Sequence, residues 1–318
     1  MLSKPSICII SPGLAAANNG NWQTAKRWQQ MLSSDYRVEI MLQWDGEPFD
    51  AMLALHARRS ADSIAQWSAK FPDRLVVLAL TGTDLYRDIA VDPLAQQSLK
   101  LAHRLVVLQD MGPKSLSLEF QSKCHVIFQS TPRRQSVTKT TQKLRGLMVG
   151  HLRAEKSPET YFAAARALAY RSDIFLDHIG APLDADLGEQ ALQLASEVPI
   201  YRYLAEQTHA QTRARIARAH VLVHPSRMEG GAHVVMEAVM SGTPVLASRI
   251  DGNVGMLGAD YAGYFPWGDA QALANLLLRC KNDPQFLDHL HAQCALRSPL
   301  FEPRAEQAAL LKIVSQSN

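Results

Sequence analysis

Short apolar runs alternate with longer stretches of helix-like periodicity along the first part of the chain. Two of the helical stretches are Trp22–Leu32 and Ser60–Lys70. Strands that alternate with helices in this way predict parallel βαβ units. The apolar runs are Ile7–Ile10, Val38–Leu42, Ala51–Leu55, Leu75–Leu80, Leu105–Leu108 and Val126–Phe128.

A second series of the same kind follows a polar segment, Thr131–Leu144, which we interpret as the linker between two domains. A last helical pattern covers Glu302–Val314. The sequence thus predicts an α/β protein with domains at 1–138 and 139–300 and a terminal helix at 301–318. The apolar runs of the second series are Leu147–Gly150, Ile174–Ile179, Ile200–Leu204, Val221–His224 and Val245–Ser248, with a turn at Gly263–Phe265.

Length and composition agree with two soluble domains. A chain of 318 residues exceeds the size at which single cores usually divide, and 47% hydrophobic with 20% charged residues is ordinary for globular proteins. The net charge of +3 is too small to argue for a nucleic-acid partner. No stretch reaches the about 18 apolar residues that a membrane span requires.

The cysteines and the N-terminus favour a cytoplasmic protein. The four cysteines are far apart and form no Cys-x-x-Cys pair, which is typical of reduced structural thiols. The run Ile7–Ile10, followed by Leu14–Ala17, imitates a signal peptide, but Pro12 and Gly13 interrupt it too early. We therefore interpret the run as a first buried strand.

The segment from Pro225 to Ile250 has the most informative chemistry. Glu229 and Glu237 are separated by seven residues, and Gly230-Gly231 lie between them at the predicted start of an apolar helix. Glycines let a ligand approach the backbone, and a helix N-terminus attracts phosphate. Glu237 is expected about two turns into that helix, roughly 12 Å along the axis. This spacing suits a sugar nucleotide, which has hydroxyls at both ends and phosphates between them.

This block resembles the signature of the retaining glycosyltransferases of the GT-B fold, in which two glutamates are separated by seven residues. Its flanks fit as well, with His224-Pro225-Ser226 before it and Gly242-Thr243-Pro244-Val245 after it. The resemblance implies two Rossmann-like domains that face each other across a cleft. It also implies that Glu229 contacts the donor sugar, that Glu237 holds the nucleotide ribose, and that Gly230, Gly231 and Ala232 contribute to UDP-sugar binding.

The stretch from Gly150 to Lys156 resembles the family's glycine loop that follows the first strand of the second domain. Lys156 falls on the family lysine that neutralises the donor diphosphate, whereas His151 stands where the family has arginine. Either Arg153 supplies the missing charge, or the phosphates are held differently. Lys156, Arg153 and Glu229 are the predicted catalytic residues, with Gly150 and His151 at the UDP-sugar.

Two loops of the first domain follow predicted strands, at the edge where α/β sheets bind ligands. The first loop, Asn18–Trp22, resembles the family's glycine loop near the donor phosphates, which implies that Gly20 contacts the UDP-sugar. The preference of Asn and Gly for turns would also explain these residues. The second is Thr81–Tyr86. Guanidinium groups favour phosphate oxygens, so Arg58 and Arg59, before a Ser60 helix cap, are candidate anion binders. The predicted acceptor-binding residues are Asn21, Arg58, Arg59, Thr83, Asp84 and Arg87.

Several stretches resemble a narrower group, the selenosugar synthases of selenoneine biosynthesis. They include Asn18–Ala25, Leu55–Ser63, Leu80–Asp88, Arg227–His233 and Ser248–Leu257. The resemblance implies sugar transfer from UDP-N-acetylglucosamine or UDP-glucose to the selenium of selenophosphate, which gives a 1-selenosugar. In the broader GT-B family, the corresponding loop ends in a glutamate, whereas this chain has Gly255 at that position. An ordinary sugar acceptor is therefore not implied.

Two other functions remain open at this point. One is a conventional glycosyltransferase acting on a hydroxyl, which a hydrophobic or basic face in the first domain would indicate. The other is a sugar-nucleotide-binding regulator without activity. We expect no cofactor. We also expect no metal, although Asp184-Ala185-Asp186 resembles the metal-binding Asp-x-Asp motif of a different glycosyltransferase architecture. The segment lies between Pro182 and Gly188, where acidic residues favour the start of a helix.

Overall fold

The computed structural model describes residues 4–14 and 20–315. By their contacts these residues form two units. The first comprises the described chain up to Ser130, the short segment Glu229–Gly231 and the chain from Pro303 onward. The second comprises Thr131–Met228 and Ala232–Glu302.

The first unit is built on a parallel sheet, which has six strands in the described residues in the order β2-β1-β3-β4-β5-β6. The central strands β1 and β3 are buried along their whole length. The strands are β1 Ser6–Ile10, β2 Arg37–Met41, β3 Ala51–Leu55, β4 Leu75–Leu80, β5 Arg104–Val107 and β6 Cys124–Val126. The helices are α1 Gly20–Leu32, α2 Ala61–Lys70, α3 Ile89–Val91, α4 Pro93–Leu101, α5 Leu118–Gln121 and α13 Pro303–Ser315.

Alternate side chains of β1 enter two separate cores, one on each face of the sheet. Ile7 and Ile9 lie in the core that also holds Trp28 of α1 and Leu310 of α13. Cys8 and Ile10 lie in the core that α2 and α4 cover. Alternation of this kind requires apolar residues at every strand position, which explains the continuous run Ile7–Ile10.

Helix α13 is held in the first unit by a buried carboxylate as well as by apolar contacts. Glu306 is 1% exposed, and it accepts hydrogen bonds from Trp28 Nε1 at 2.8 Å and Ser130 N at 2.8 Å. Arg27 Nε lies 2.8 Å from the same carboxylate. These partners offset the cost of removing the charge from water.

The second unit has a parallel sheet of the same size within the described residues, in the order β12-β11-β10-β7-β8-β9. Its strands are β7 Leu144–Val149, β8 Ile174–Ile179, β9 Tyr201–Tyr203, β10 Val221–His224, β11 Val245–Ser248 and β12 Tyr264–Phe265. Its helices are α6 Pro158–Ala167, α7 Ala185–Glu197, α8 His209–Arg218, α9 His233–Val239, α10 Asp251–Leu257, α11 Ala270–Asn282 and α12 Pro284–Arg297.

The predicted α/β class is confirmed, with three local corrections. The sixth strand is Cys124–Val126, two residues earlier than predicted. The predicted turn at Gly263–Phe265 contains the short strand β12. Ser60 does not cap α2 with its side chain, because its hydroxyl donates instead to Leu55 O at 2.7 Å.

The four cysteines form no disulfide bonds. Cys8, Cys280 and Cys294 are buried and Cys124 is half-buried, and all are free. Burial raises the pKa of the Cys8 and Cys280 thiols to about 12, which leaves them unreactive.

Among the described residues, no helix combines the length and the apolar character needed to cross a membrane.

Candidate functional site

The order of strands in the second sheet identifies where a ligand would bind to that unit. Strand β7 has β10 on one side and β8 on the other, so the order in which the chain adds strands to the sheet reverses between β7 and β10. Open parallel sheets bind ligands at such a point, beyond the carboxyl ends of the strands. The loops there are 150–156 after β7 and 225–228 after β10, and Arg227 N joins them by donating to Glu155 O at 2.9 Å.

The loop after β7 is fixed to the neighbouring strand β8. Gly150 N donates to Ile179 O at 2.9 Å, and His178 Nε2 lies 3.2 Å from Gly150 O. Burial lowers the pKa of His178 to about 4, so the imidazole is neutral and Tyr201 OH lies 3.0 Å from its Nδ1. A Cβ at Gly180 would lie 1.9 Å from Gly150 O, which explains why that position is glycine. The loop is therefore rigidly placed.

This loop carries three basic side chains. Lys156 ends the short 3-10 helix Ala154–Lys156, and Arg153 is about half exposed, with its Nε 4.0 Å from Glu155 Oε2. Burial lowers the pKa of His151, and the charges of Arg153 and Lys156 lower it further. His151 Nδ1 accepts from Ala181 N at 3.1 Å, so the neutral ring carries its proton on Nε2. His151 thus supplies a donor, while Arg153 and Lys156 supply positive charge.

Glu237 lies nearer to the start of its helix than predicted. Helix α9 begins at His233, so Glu237 is one turn into it rather than two. Glu237 is 8% exposed, and its Oε1 lies 2.7 Å from Nε2 of His209 at the start of α8. The hydrogen bond to Glu237 raises the pKa of His209. One carboxylate oxygen is thereby engaged by the protein.

Glu229, Gly230 and Gly231 group with the first unit, whereas Ala232 and Glu237 belong to the second. A Cβ at Gly230 would lie 2.4 Å from Thr81 O, and one at Gly231 would lie 2.7 Å from Leu108 Cβ. The first unit therefore leaves no room for a side chain at either position, which explains why both residues are glycine. Contact of these residues with UDP-sugar stays a prediction.

In the first unit, the loops after β3 and β4 are joined through Asp84. Asp84 is fully buried, and its carboxylate accepts from Ala57 N at 2.9 Å, Thr81 N at 2.9 Å and Gly82 N at 2.8 Å. The Asp84 carboxylate therefore positions the two loops through these backbone donors. Its contact with the acceptor stays a prediction.

The three arginines predicted at the acceptor differ in their partners. Arg58 Nε lies 3.0 Å from Asp92 Oδ2, and Arg87 Nε lies 2.9 Å from Asp88 Oδ1. Arg59 is exposed and forms no ion pair with any part of the chain that the structure describes. Arg59 is consequently the arginine of this group best able to bind an external anion.

The remaining predicted residues are described only in part. Gly20 begins α1 and is exposed, and Asn21 is half-buried beside it. Asn18 and Asn19 lie outside the described residues. Asp184 caps α7 by accepting from Leu187 N at 3.2 Å, which agrees with its predicted role at a helix start. No group of three or more His, Cys, Asp or Glu side chains suited to a metal ion occurs within 4–14 and 20–315.

Sequence reasoning missed two histidines. His209 follows Thr208, whose capping box with Gln211 defines the start of α8, so its helical position could have been read from the sequence. His56 lies directly after β3 with a φ of 75°, in the left-handed region, and no residue pattern reveals that. Both histidines lie beside residues that were predicted.

Comparison with known proteins places this geometry in a family. The family model described as glycosyl transferases group 1 matches residues 129–295, slightly more than half of the chain. No curated protein matches the chain significantly.

Solved structures share the fold at low sequence identity. Sucrose-phosphate synthase from Thermosynechococcus elongatus is similar with a TM-score of 0.78 at 17% identity, over 98% of this chain and 97% of that one. Anabaena Alr3699/HepE in complex with UDP-glucose gives 0.77 at 13% identity, over 98% and 99%. S. aureus TarM, whose structure contains UDP, gives 0.67 at 11% identity, over 84% and 56%. The fold is GT-B, and the chain belongs to the glycosyl transferases group 1 family.

Proposed function

We propose that this chain is a selenosugar synthase of the SenB type. It transfers a sugar from UDP-N-acetylglucosamine or UDP-glucose to the selenium of selenophosphate, and it forms the 1-selenosugar used in selenoneine biosynthesis. Membership of the glycosyltransferase family supports the transfer, and the UDP-glucose complex of Anabaena Alr3699/HepE supports the class of donor. The selenophosphate acceptor rests on the sequence resemblance and on the charges of the first unit.

The donor would bind through the second unit at the strand-order reversal. Lys156 and Arg153 provide positive charge for the diphosphate, and neutral His151 adds a hydrogen-bond donor. Glu237 would hold the ribose, with Gly150 and Ala232 lining the approach. Cations placed where negative charge develops lower the barrier to departure of UDP.

In the proposed reaction, selenium attacks the anomeric carbon and a C–Se bond forms. The bond from that carbon to the β-phosphate oxygen breaks, and its electron pair leaves with UDP. Water then cleaves the Se–P bond, which gives inorganic phosphate and the 1-selenosugar. An anionic selenium nucleophile needs no general base, so the protein's task is to orient the acceptor and to stabilise the leaving group.

The main support for an anionic acceptor is Arg59, which lies beside the carboxyl end of β3. Arg59 is exposed and forms no ion pair in the described residues. A neutral sugar acceptor would not require a cation there. A phosphate group on the acceptor would, because guanidinium binds two phosphate oxygens at once. Glu229 and Gly20 would contact the donor sugar and its phosphates, as the family resemblance implies.

One feature of the first unit favours the alternative of a hydroxyl acceptor on an apolar molecule. The exposed apolar side chains of this unit include Val91 at 75%, Leu94 at 48% and Leu118 at 84%. Exposed apolar residues are common singly, but larger patches mark sites of binding. A conventional glycosyltransferase therefore remains the second candidate.

Mass spectrometry of the reaction products distinguishes these functions. UDP-sugar and selenophosphate are mixed with and without the protein, and the expected result is a 1-selenosugar and UDP only when the protein is present. A glycosylated hydroxyl compound in place of the selenosugar would support the second candidate. Binding of UDP-sugar without consumption, whichever acceptor is offered, would indicate a regulator instead of an enzyme.

A further inference from the structure

The first sheet has its own strand-order reversal, between β1 and β3, since β1 lies between β2 and β3. The turn His56–Ser60 follows β3 at the carboxyl edge, where parallel sheets bind ligands. The turn is closed by Ser60 N donating to His56 O at 3.1 Å, while His56 N donates to Ala79 O at 2.9 Å. Residues of this turn are thus fixed at a favoured binding position.

His56 adopts a backbone conformation that is unfavourable for its side chain. Its φ is 75°, and the residue is 4% exposed. Glycine adopts positive φ without steric cost, whereas a residue with a Cβ is strained there. Strain of this kind is retained where the side chain is needed, most often at functional sites.

The imidazole of His56 connects two residues predicted at the acceptor. Its Nδ1 accepts from Arg59 N at 3.4 Å, and its Nε2 lies 3.2 Å from the hydroxyl oxygen of Thr83. Because Nδ1 is an acceptor, the proton is assigned to Nε2, which donates to Thr83. The hydroxyl hydrogen of Thr83 is then available to donate to another oxygen.

Burial keeps the His56 imidazole neutral, although two carboxylates face it. Burial lowers the pKa of His56 and the charge of Arg59 lowers it further, while Asp84 and Asp88 act in the opposite direction. Asp84 Oδ2 lies 4.0 Å from Nδ1 and Asp88 Oδ2 lies 3.8 Å from Nε2. Asp84 is already engaged by backbone N–H groups, and Asp88 pairs with Arg87.

We propose that His56 is the positioning residue of an oxyanion site in which the Arg59 guanidinium and the Thr83 hydroxyl bind a tetrahedral oxyanion. This inference deepens the proposed function and rests on it, because the oxyanion would be the phosphate end of the acceptor. His56 itself is buried and does not touch the ligand. It holds the Thr83 hydroxyl as a donor and the Arg59 backbone in place.

Titration with inorganic phosphate, followed by NMR at the Arg59 and Thr83 amides of the whole protein, tests the site without any turnover. The parent is expected to show saturable shifts at both residues. R59A should weaken binding by about 10-fold or more, because it removes a charge-assisted hydrogen bond. R304A is the matched control and should bind as the parent does, since Arg304 is an exposed arginine of the same unit on α13, which contributes no residue to the proposed site.

The variants H56G and H56N separate positioning from simple stability. H56G removes the backbone strain together with the imidazole, so its melting temperature should not fall, while phosphate binding should weaken by about 10-fold. H56N tolerates positive φ and keeps a side-chain donor, so it should retain more binding than H56G. UDP binding should be unchanged in both.

Two results would overturn the inference. One is the absence of saturable shifts at Arg59 and Thr83 in the parent, and the other is parental phosphate binding by H56G. Failure of this inference can be distinguished from failure of the proposed function. If phosphate binds through His56 but selenophosphate is not a substrate, the site stands and the acceptor assignment fails. If selenophosphate is a substrate and H56G reacts like the parent, the function stands and the site is wrong.

Discussion

The His209 Nε2 atom lies 2.7 Å from Glu237 Oε1, so the carboxylate proposed to hold the ribose is engaged by an imidazole that is itself largely exposed. His209 begins α8 and Glu237 lies in α9. The contact leaves the second carboxylate oxygen for a ligand. It also links the charge of His209 to the stability of the second unit.

The contribution of this pair to stability should depend on pH. The hydrogen bond to Glu237 raises the pKa of His209, so its stabilisation is complete below the unfolded value of about 6.5 and is lost as pH rises through the folded value. Since His209 is exposed, the effect should be below about 1 kcal/mol. Melting curves of parent and H209A should therefore differ more at pH 5.5 than at pH 9. An equal difference at both pH values would show that the pair contributes nothing through charge.

Replacing Glu237 should weaken nucleotide binding. A ribose hydroxyl bonded to a carboxylate contributes about 1.5–3 kcal/mol, so E237Q should lower UDP affinity by roughly 10- to 150-fold in calorimetry. E189Q on α7 is the matched control, because that carboxylate is exposed. Unchanged UDP affinity in folded E237Q would remove Glu237 from the site.

Lys156 should affect turnover more than folding. Charge on the departing diphosphate grows in the transition state, so K156A should lower the rate of UDP release by about 100- to 1000-fold. K143A is a suitable control, since Lys143 precedes β7 at its amino end while Lys156 follows its carboxyl end. Near-normal turnover by K156A would transfer the role to Arg153 or His151.

Asp84 should affect folding more than ligand contact. Its removal leaves three backbone N–H groups without their acceptor, two of them buried, so D84A should cost roughly 2–5 kcal/mol in the free energy of unfolding. D73A, at an exposed acid of the same unit, should change stability by less than about 0.5 kcal/mol. A small effect of D84A in denaturant unfolding would show that these hydrogen bonds contribute little to stability, and would favour the predicted acceptor contact as the role of Asp84.

The fold was predictable wherever a strand is buried and apolar. Ala51–Leu55 and Leu75–Leu80 have the predicted bounds, because buried parallel strands are continuous apolar runs. Strand β6 was displaced by two residues, since this edge strand of three residues is only partly buried. A short edge strand leaves little hydrophobic pattern to read.

The candidate site was predictable only in its local parts. The segment from Gly150 to Lys156 is one continuous loop, so its basic residues could be found from spacing. The partners of Glu237 and Thr83 could not, because His209 is 28 residues from Glu237 and His56 is 27 residues from Thr83. Such pairs are created by the packing of separate elements. The positive φ of His56 likewise occurs where its backbone N–H bonds to Ala79 O of a separate strand.

The most direct test of the central claim is the rate at which UDP is released from UDP-glucose and from UDP-N-acetylglucosamine. The rate is measured with selenophosphate, with a sugar alcohol and with water alone as the acceptor. The account predicts that selenophosphate accelerates release far above the other two with at least one donor. No acceleration by selenophosphate with either donor would contradict the selenosugar assignment and leave a hydroxyl acceptor in its place.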